Sequence, residues 1–323
     1  MDERTLAPLR IGLIGASRVA TYAAIDAARA AGGVEVVAVA AREAARARSY
    51  AATHGIARWH DDYAALLASP DIDLVYIGTP PSVHRAQALL AVGAGKHLLV
   101  EKPFAMNAGE ARAVLAAADA AGVQVFEAMH SLHHPLFARL KQLLPELGAI
   151  MTVEARFDAA VGTAPGEFRW RAGLGGGALM DLGVYPLAWC RFLLGEGLTV
   201  ITADARRRDG VDAAFSAELR MGEVAARVTA SMDAPRHSAS LLVTGARGRL
   251  LVDNPLAPQR GNRVTVETAA GSRSDQVDGP SSYAAQMAAV RDALADRARW
   301  PRPHDDFVRS MAAIDAVRTA MGG

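Results

Sequence analysis

Arg10 to Ala20 reads RIGLIGASRVA. An apolar run, Arg10 to Ile14, passes into the turn GASRVA, Gly15 to Ala20, and then into an alanine-rich segment reaching about Ala31. This is the order strand, tight turn, helix. A dinucleotide-binding turn needs a first Gly for the bend, a small second residue where the backbone approaches the pyrophosphate, and a small third residue for close helix packing. Gly15, Ser17 and Ala20 occupy those places, with Ala16 and Arg18 between them. Ser17 stands where a second glycine is usual, so the turn alone also fits an ordinary strand-to-helix junction.

The chain beyond it decides. Val34 to Ala40 is continuously rich in apolar residues, the mark of a strand buried on both faces of a parallel sheet. An acid at the end of this strand would hold the ribose hydroxyls of NAD, whereas a 2′-phosphate requires that acid to be absent and a cation to be present. Ala41 and Arg42 follow Ala40, and the Arg42 guanidinium can pair with phosphate, assisted by Arg18. NADP(H) is therefore expected over NAD(H), with the adjacent Glu43 keeping NAD(H) as the alternative. Helices are predicted near Arg42 to Thr53, Tyr63 to Ala68, through Val92, and over Ala108 to Ala121. Strands are predicted at Leu74 to Ile77, His97 to Val100 and Gln124 to Ala128. The first of these runs into GTPPSVH, whose paired prolines make Thr79 to Ser82 a loop at the carboxyl edge, where α/β sheets bind ligands. Thr79, Pro80 and His84 are cofactor-site candidates there, and Glu101 and Lys102 fall at the same edge. Gly93 and Gly95 before Lys96 have neither the spacing nor the following hydroxyl residue of a Walker loop.

The second half has its own centre. Gly175 to Tyr185 reads GGGALMDLGVY, a glycine triplet entering an apolar helix that carries Asp181 and Tyr185 four residues apart, on one face. Around it, strand-like segments recur at Ile150 to Phe157, Val200 to Ala205, Phe215 to Arg220, Val224 to Ser231, Ser240 to Thr244, Arg249 to Val252 and Val264 to Thr268. Serial strands predict an antiparallel or mixed sheet. Helices near Tyr283 to Ala295 and Asp306 to Met321 close the chain. The expected fold class is α/β, with an N-terminal doubly wound parallel Rossmann sheet over 1–128 and a C-terminal α/β domain with a large open, mainly antiparallel sheet over 129–323.

Composition narrows the function classes. With 323 residues and a formal net charge of +1, nothing points to nucleic acid or an anionic membrane. The Arg206 to Arg208 run, ending at Asp209, reads as a solvated turn. The single cysteine, Cys190, excludes an internal disulfide and reads as a buried thiol. No apolar run approaches membrane-spanning length, and MDERTLAPLR lacks the apolar segment of a secretion signal, so a cytoplasmic location is expected.

The set GASRVA, AVAAR, GTPPSVH, AGKHLLVEKPF and GGGALMDLGVY, continued by PSSYAAQ and DDFVRSMAAIDAV, resembles the glucose-fructose oxidoreductase, inositol dehydrogenase and rhizopine-catabolism (Gfo/Idh/MocA) family over almost the whole chain. The resemblance implies an NAD(P)-dependent dehydrogenase or reductase of sugars, polyols or related diols. It implies a second-domain sheet with substrate residues on one side and an oligomer contact, dimer or tetramer, on the other. It also places Lys102 and Tyr185 at the reacting oxygen, with Asp181 orienting substrate hydroxyls and holding Lys102 charged. A lysine ammonium beside a phenol stabilises the phenolate, which suits a general acid or base. The family carries His at the Tyr185 position in many members and an Arg where this chain has Leu132. EAMHSLHHP, Glu127 to Pro135, holds three histidines, but a zinc site wants further convergent ligands, so no metal is expected and His130 is read as a substrate-cleft residue. Arg169 and Trp170 are expected to cover the nicotinamide or substrate. Two readings compete with a sugar oxidoreductase: a dihydrodiol or ketone reductase with the same relay, and a silent cofactor-sensing protein.

Overall fold

The computed structural model describes residues 7–164 and 166–322; the first six residues of MDERTLAPLR, read above for a secretion signal, lie outside them. Contacts divide the chain into two compact units.

The first unit comprises Met1–Ala105, Gly109–Ala128 and Tyr283–Val308. Its strands are β1 (Leu9–Ile14), β2 (Val34–Ala40), β3 (Arg58–His60), β4 (Leu74–Ile77), β5 (His97–Glu101) and β6 (Val125–Ala128). They form one sheet in the order β3-β2-β1-β4-β5-β6, parallel throughout. The order reverses beside β1, so the crevice outside the carboxyl ends of β1 and β4 is the switch point where such sheets take ligands. Two strands account for the drive to bury: β4 is buried at all four positions, and β5 at all but its first. β3 has no apolar run to predict it. The segment after the turn is helical without a break from Arg18 to Ala31, with a π turn at Thr21–Ile25. Ala20, Ala23, Ala24, Ala27 and Ala28 are its buried stripe, and side chains this small let a helix lie close on its neighbours.

The expected single boundary at 128/129 misses a return. The helix Ser282–Ala295 buries Met287, Val290 and Ala293 in the same core as Ile11, Leu13 and Leu74, so 283–308 belongs with the first unit. The apolar spacing that drives this is helical, but it does not say which core will receive it.

The second unit comprises Met106–Ala108, Met129–Ser282 and Arg309–Gly323. Its sheet contains β7 (Ile150–Ala160), β8 (Leu198–Arg208), β9 (Val211–Met221), β10 (Val224–Ser231), β11 (Asp233–Gly245), β12 (Gly248–Asp253), β13 (Arg263–Thr268) and β14 (Gly271–Asp275). The order is β14-β13-β12-β11-β7-β10-β9-β8, antiparallel except where β7 meets β10. Alternation along β9 buries Val211, Ala213, Phe215, Ala217, Leu219 and Met221 on one face. The other face carries cross-strand ion pairs such as Arg227 with Glu218 and Arg249 with Glu267. The Arg206 to Arg208 run ends β8 and enters the Asp209–Gly210 hairpin turn, where both residues have positive φ. Among the described residues no helix is long and apolar enough to cross a membrane.

Candidate active site

Each unit carries one set of candidate residues. In the first, Gly15 leaves β1 at φ +104 and its N–H donates to the Ala40 carbonyl at 2.9 Å. A Cβ there would meet Thr79 Cγ2 at 3.1 Å and the Gly78 carbonyl oxygen at 3.2 Å, so only glycine suits both the conformation and the space. Ser17 caps the helix by accepting from Ala20 N–H at 3.3 Å. Two residues that the sequence reading did not single out brace this turn. Arg46 donates from Nε and Nη2 to the Ala16 carbonyl at 3.1 and 2.8 Å, and the Tyr50 hydroxyl donates to the Ser17 carbonyl at 3.0 Å. The available signal is spacing, since Arg46 follows Arg42 by four. Ala41 is buried, while Arg18 and Arg42 are exposed. A glycine turn that admits no side chain, opening a helix at the switch point and flanked by exposed cations, fits a phosphorylated dinucleotide.

The neighbouring loop is tied down. Thr79 Oγ1 donates to Gln87 Oε1 at 2.6 Å, and Pro80 is half-buried beside it. His84 is buried, with Nε2 2.7 Å from the Thr79 carbonyl oxygen and Nδ1 3.1 and 3.2 Å from those of Pro103 and Phe104. Both ring nitrogens thus join the loop after β4 to the loop after β5, and burial pushes the imidazole below its ordinary value. Glu101 is likewise a brace: Oε1 accepts from the Tyr76 hydroxyl at 2.7 Å, and Oε2 from the Lys102 N–H at 3.2 Å. Burial, reinforced by Glu101, holds the Tyr76 phenol protonated well above its usual range. Lys102, half-buried, follows directly at the end of β5.

In the second unit the glycine triplet has specific tasks. A Cβ on Gly176 would stand 2.4 Å from the Arg169 carbonyl oxygen, and one on Gly177 only 2.1 Å from Asp212 Oδ1. Asp212 reaches from β9 to accept the Leu179 N–H at 2.6 Å, and burial raises its carboxyl above the usual range. The helix begins with a π turn, Leu179–Gly183, and continues as Val184–Leu194; such π insertions are frequent at functional sites. Asp181 and Tyr185 are both buried, at 8% and 5% exposure. Arg169 Nε meets Asp181 Oδ2 at 2.8 Å, and its Nη1 meets Glu167 Oε1 at 2.9 Å. Trp170 is buried, donating to the Gly162 carbonyl at 3.0 Å with the Arg208 guanidinium over its ring.

Tyr185 is approached by Phe157 edge-on, with centroids 5.7 Å apart. Its hydroxyl lies 3.1 Å from His130 Nε2, and His130 Nδ1 lies 2.9 Å from Ser282 Oγ. The three histidines diverge in role. His134 caps the helix Pro135–Leu143 by accepting the Leu136 N–H, and no group of three or more His, Cys, Asp or Glu among the described residues could hold a metal.

Comparison with known proteins identifies the family of both halves of the chain. Residues 9–129 match the oxidoreductase family with an NAD-binding Rossmann fold, and residues 137–251 match the GFO/IDH/MocA C-terminal domain. The chain is 31% identical to a dTDP-3,4-didehydro-2,6-dideoxy-alpha-D-glucose 3-reductase of Streptomyces violaceoruber, over 98% of this chain and 96% of the relative. It is 32% identical to D-xylose 1-dehydrogenase (NADP(+)) 2 of Haloferax volcanii, over 96% of each. The crystal structure of KijD10, a 3-ketoreductase from Actinomadura kijaniata in complex with NADP and TDP-benzene, superposes with a TM-score of 0.90 at 29% identity, covering 97% of this chain and 98% of that one. The sheet orders, the glycine turn and these matches together place the chain in the Gfo/Idh/MocA family of oxidoreductases.

Proposed function

We propose that the chain is an NADP(H)-dependent oxidoreductase acting on a secondary alcohol or carbonyl of a sugar or sugar-like polyol. When bound, the nicotinamide supplies or accepts the hydride. The chain's own residues manage the oxygen. Tyr185 exchanges the proton with it, Lys102 stabilises the phenolate form by charge, and Asp181 orients neighbouring hydroxyls. The observation that carries this reading is the buried helix start that presents a carboxylate and a phenol together, in a family of oxidoreductases. Arg169, paired with Asp181, holds that carboxylate in place. The preference for NADP(H) follows from Arg42 with Arg18 and from the absence of an acid at Ala40 or Ala41, supported by the NADP-binding relatives.

A homo-oligomer through the outer face of the second sheet is part of the same reading. Leu242 and Leu251 are register partners on that face, and Leu251 is 38% exposed.

The test is Tyr185→Phe, which keeps the ring packing and removes the hydroxyl. Turnover on a sugar carbonyl or alcohol found by nicotinamide absorbance should fall by roughly two to four orders of magnitude. A loss of only a few-fold would reject Tyr185 as the proton-transfer group.

A further inference from the structure

Tyr185 must regain its proton, or shed it, between turnovers. Its hydroxyl, His130 and Ser282 form a hydrogen-bonded chain, Oη to Nε2 at 3.1 Å and Nδ1 to Oγ at 2.9 Å. All three are buried: His130 is 2% exposed, Tyr185 5% and Ser282 0%. The anchoring is firm in sequence terms as well. His130 follows the first residue of the long segment Met129–Ser282 and Ser282 is its last, so the bond between them closes that segment on itself.

We propose that His130 is the proton partner of Tyr185, an inference that rests on reading Tyr185 as the group that serves the substrate oxygen. In carbonyl reduction, Tyr185 gives its O–H proton to the oxygen and becomes a phenolate. The His130 Nε2–H bond then breaks, a new Oη–H bond forms, and the imidazolium becomes neutral imidazole. In alcohol oxidation the same proton travels the other way, from Oη to Nε2. Bulk water supplies or accepts the one proton that the overall reaction consumes or releases. Ser282 Oγ accepts the Nδ1–H throughout, which makes Nε2, facing Tyr185, the nitrogen that gains and loses the proton and fixes the ring's orientation. The geometry has the form of a hydroxyl, an imidazole and a bracing oxygen, with a phenol in the place of a nucleophile.

Ring packing alone would explain a buried histidine here, so the test separates the two. His130→Phe preserves an aromatic ring, and His130→Gln preserves a hydrogen-bond donor but cannot relay a proton. Both should lower kcat by about 100-fold, the low end for a positioned proton-transfer group, with KM changed by less than about twofold. In a Tyr185→Phe background neither should add a further loss, since the hydroxyl they serve is gone. A second readout needs no turnover: ring-nitrogen NMR of His130 should show Nδ1 protonated, with the Nε2 signal displaced by Tyr185→Phe. If His130→Gln turns over like the wild type, or if losses at His130 and Tyr185 multiply, proton exchange is overturned. Nδ1 found unprotonated would overturn it as well. If instead Tyr185→Phe retains turnover, the reading of Tyr185 falls and this inference with it, whereas loss at Tyr185 without loss at His130 removes the inference alone.

Discussion

Gly177→Ala is the substitution that bears hardest on how the second unit holds its chemistry. Gly177 N–H donates to the Arg169 carbonyl at 2.9 Å, and its own carbonyl accepts the Asp181 N–H at 2.9 Å. One residue therefore links the backbones of the two partners in the Arg169–Asp181 pair. Its φ is +113, a region open to glycine and costly for alanine, of order 1–3 kcal/mol. The new Cβ would also stand 2.1 Å from Asp212 Oδ1, closer than any contact allows. Either Asp212 retreats and leaves the Leu179 N–H without its acceptor, worth about 1–3 kcal/mol when buried, or the glycine loop moves. The two costs combine to about 2–6 kcal/mol. At about 2–4 °C per kcal/mol for a domain of this size, the thermal midpoint should drop by between about 4 and 24 °C. Gly173→Ala is the internal control, because its Cβ would meet nothing within 4 Å and its φ is not positive. Asp212→Ala supplies the second arm. It removes the collision, so the double variant should cost about 1–3 kcal/mol less than the sum of the singles. A Gly177→Ala protein melting within about 1 °C of Gly173→Ala, or strict additivity with Asp212→Ala, would refute the reasoning.

Two further perturbations address the first unit. Arg42→Ala should raise KM for NADPH by about 10-fold or more while leaving KM for NADH within about twofold, since only the former loses a charge-assisted phosphate contact; steady-state kinetics with both cofactors at one ionic strength reads it. His84 and His97 both have their imidazoles pushed down by burial. The unfolded chain then takes up protons that the folded one refuses. Stability should therefore be full above about pH 6.5 and be lost as pH falls through that value toward the depressed folded ones. His97 Nδ1 accepts the Gln124 N–H at 2.9 Å, and an asparagine oxygen can do the same. His97→Asn should accordingly show a smaller drop in urea midpoint between about pH 7.5 and about pH 5 than the wild type.

What could be read from the chain and what could not follows from the range of the forces involved. The strand β2 spans Val34–Ala40, as its apolar run predicts; its carboxyl half, Ala38 to Ala40, is buried on both faces, while Glu35 near its start is exposed. The helix Ala108–Ala121 likewise coincides with its expected span. β14, by contrast, is GSRSD, exposed at every position, and exists because β13 offers it an open edge. Nothing within those five residues could announce that. The same distinction runs through the site. Gly15 and Ser17 act on neighbours within a few residues or on the adjacent strand, so a local motif suffices to find them. Asp181 and Tyr185 are legible as two polar groups in an apolar helix, but their partners are not. Arg169 reaches Asp181 only because Gly176 and Gly177 let the loop fold against itself. His130 lies 55 residues from Tyr185, and Ser282 lies 152 from His130. Hydrogen bonds across such separations leave no periodicity. What does remain legible is the chemical cost: a histidine placed among Met129, Ser131 and Leu132, all buried, must find a partner for each ring nitrogen or be paid for elsewhere. In this chain one of those partners is the Tyr185 phenol on the buried helix, which makes the polar residue in an apolar segment a more informative signal than the count of histidines around it.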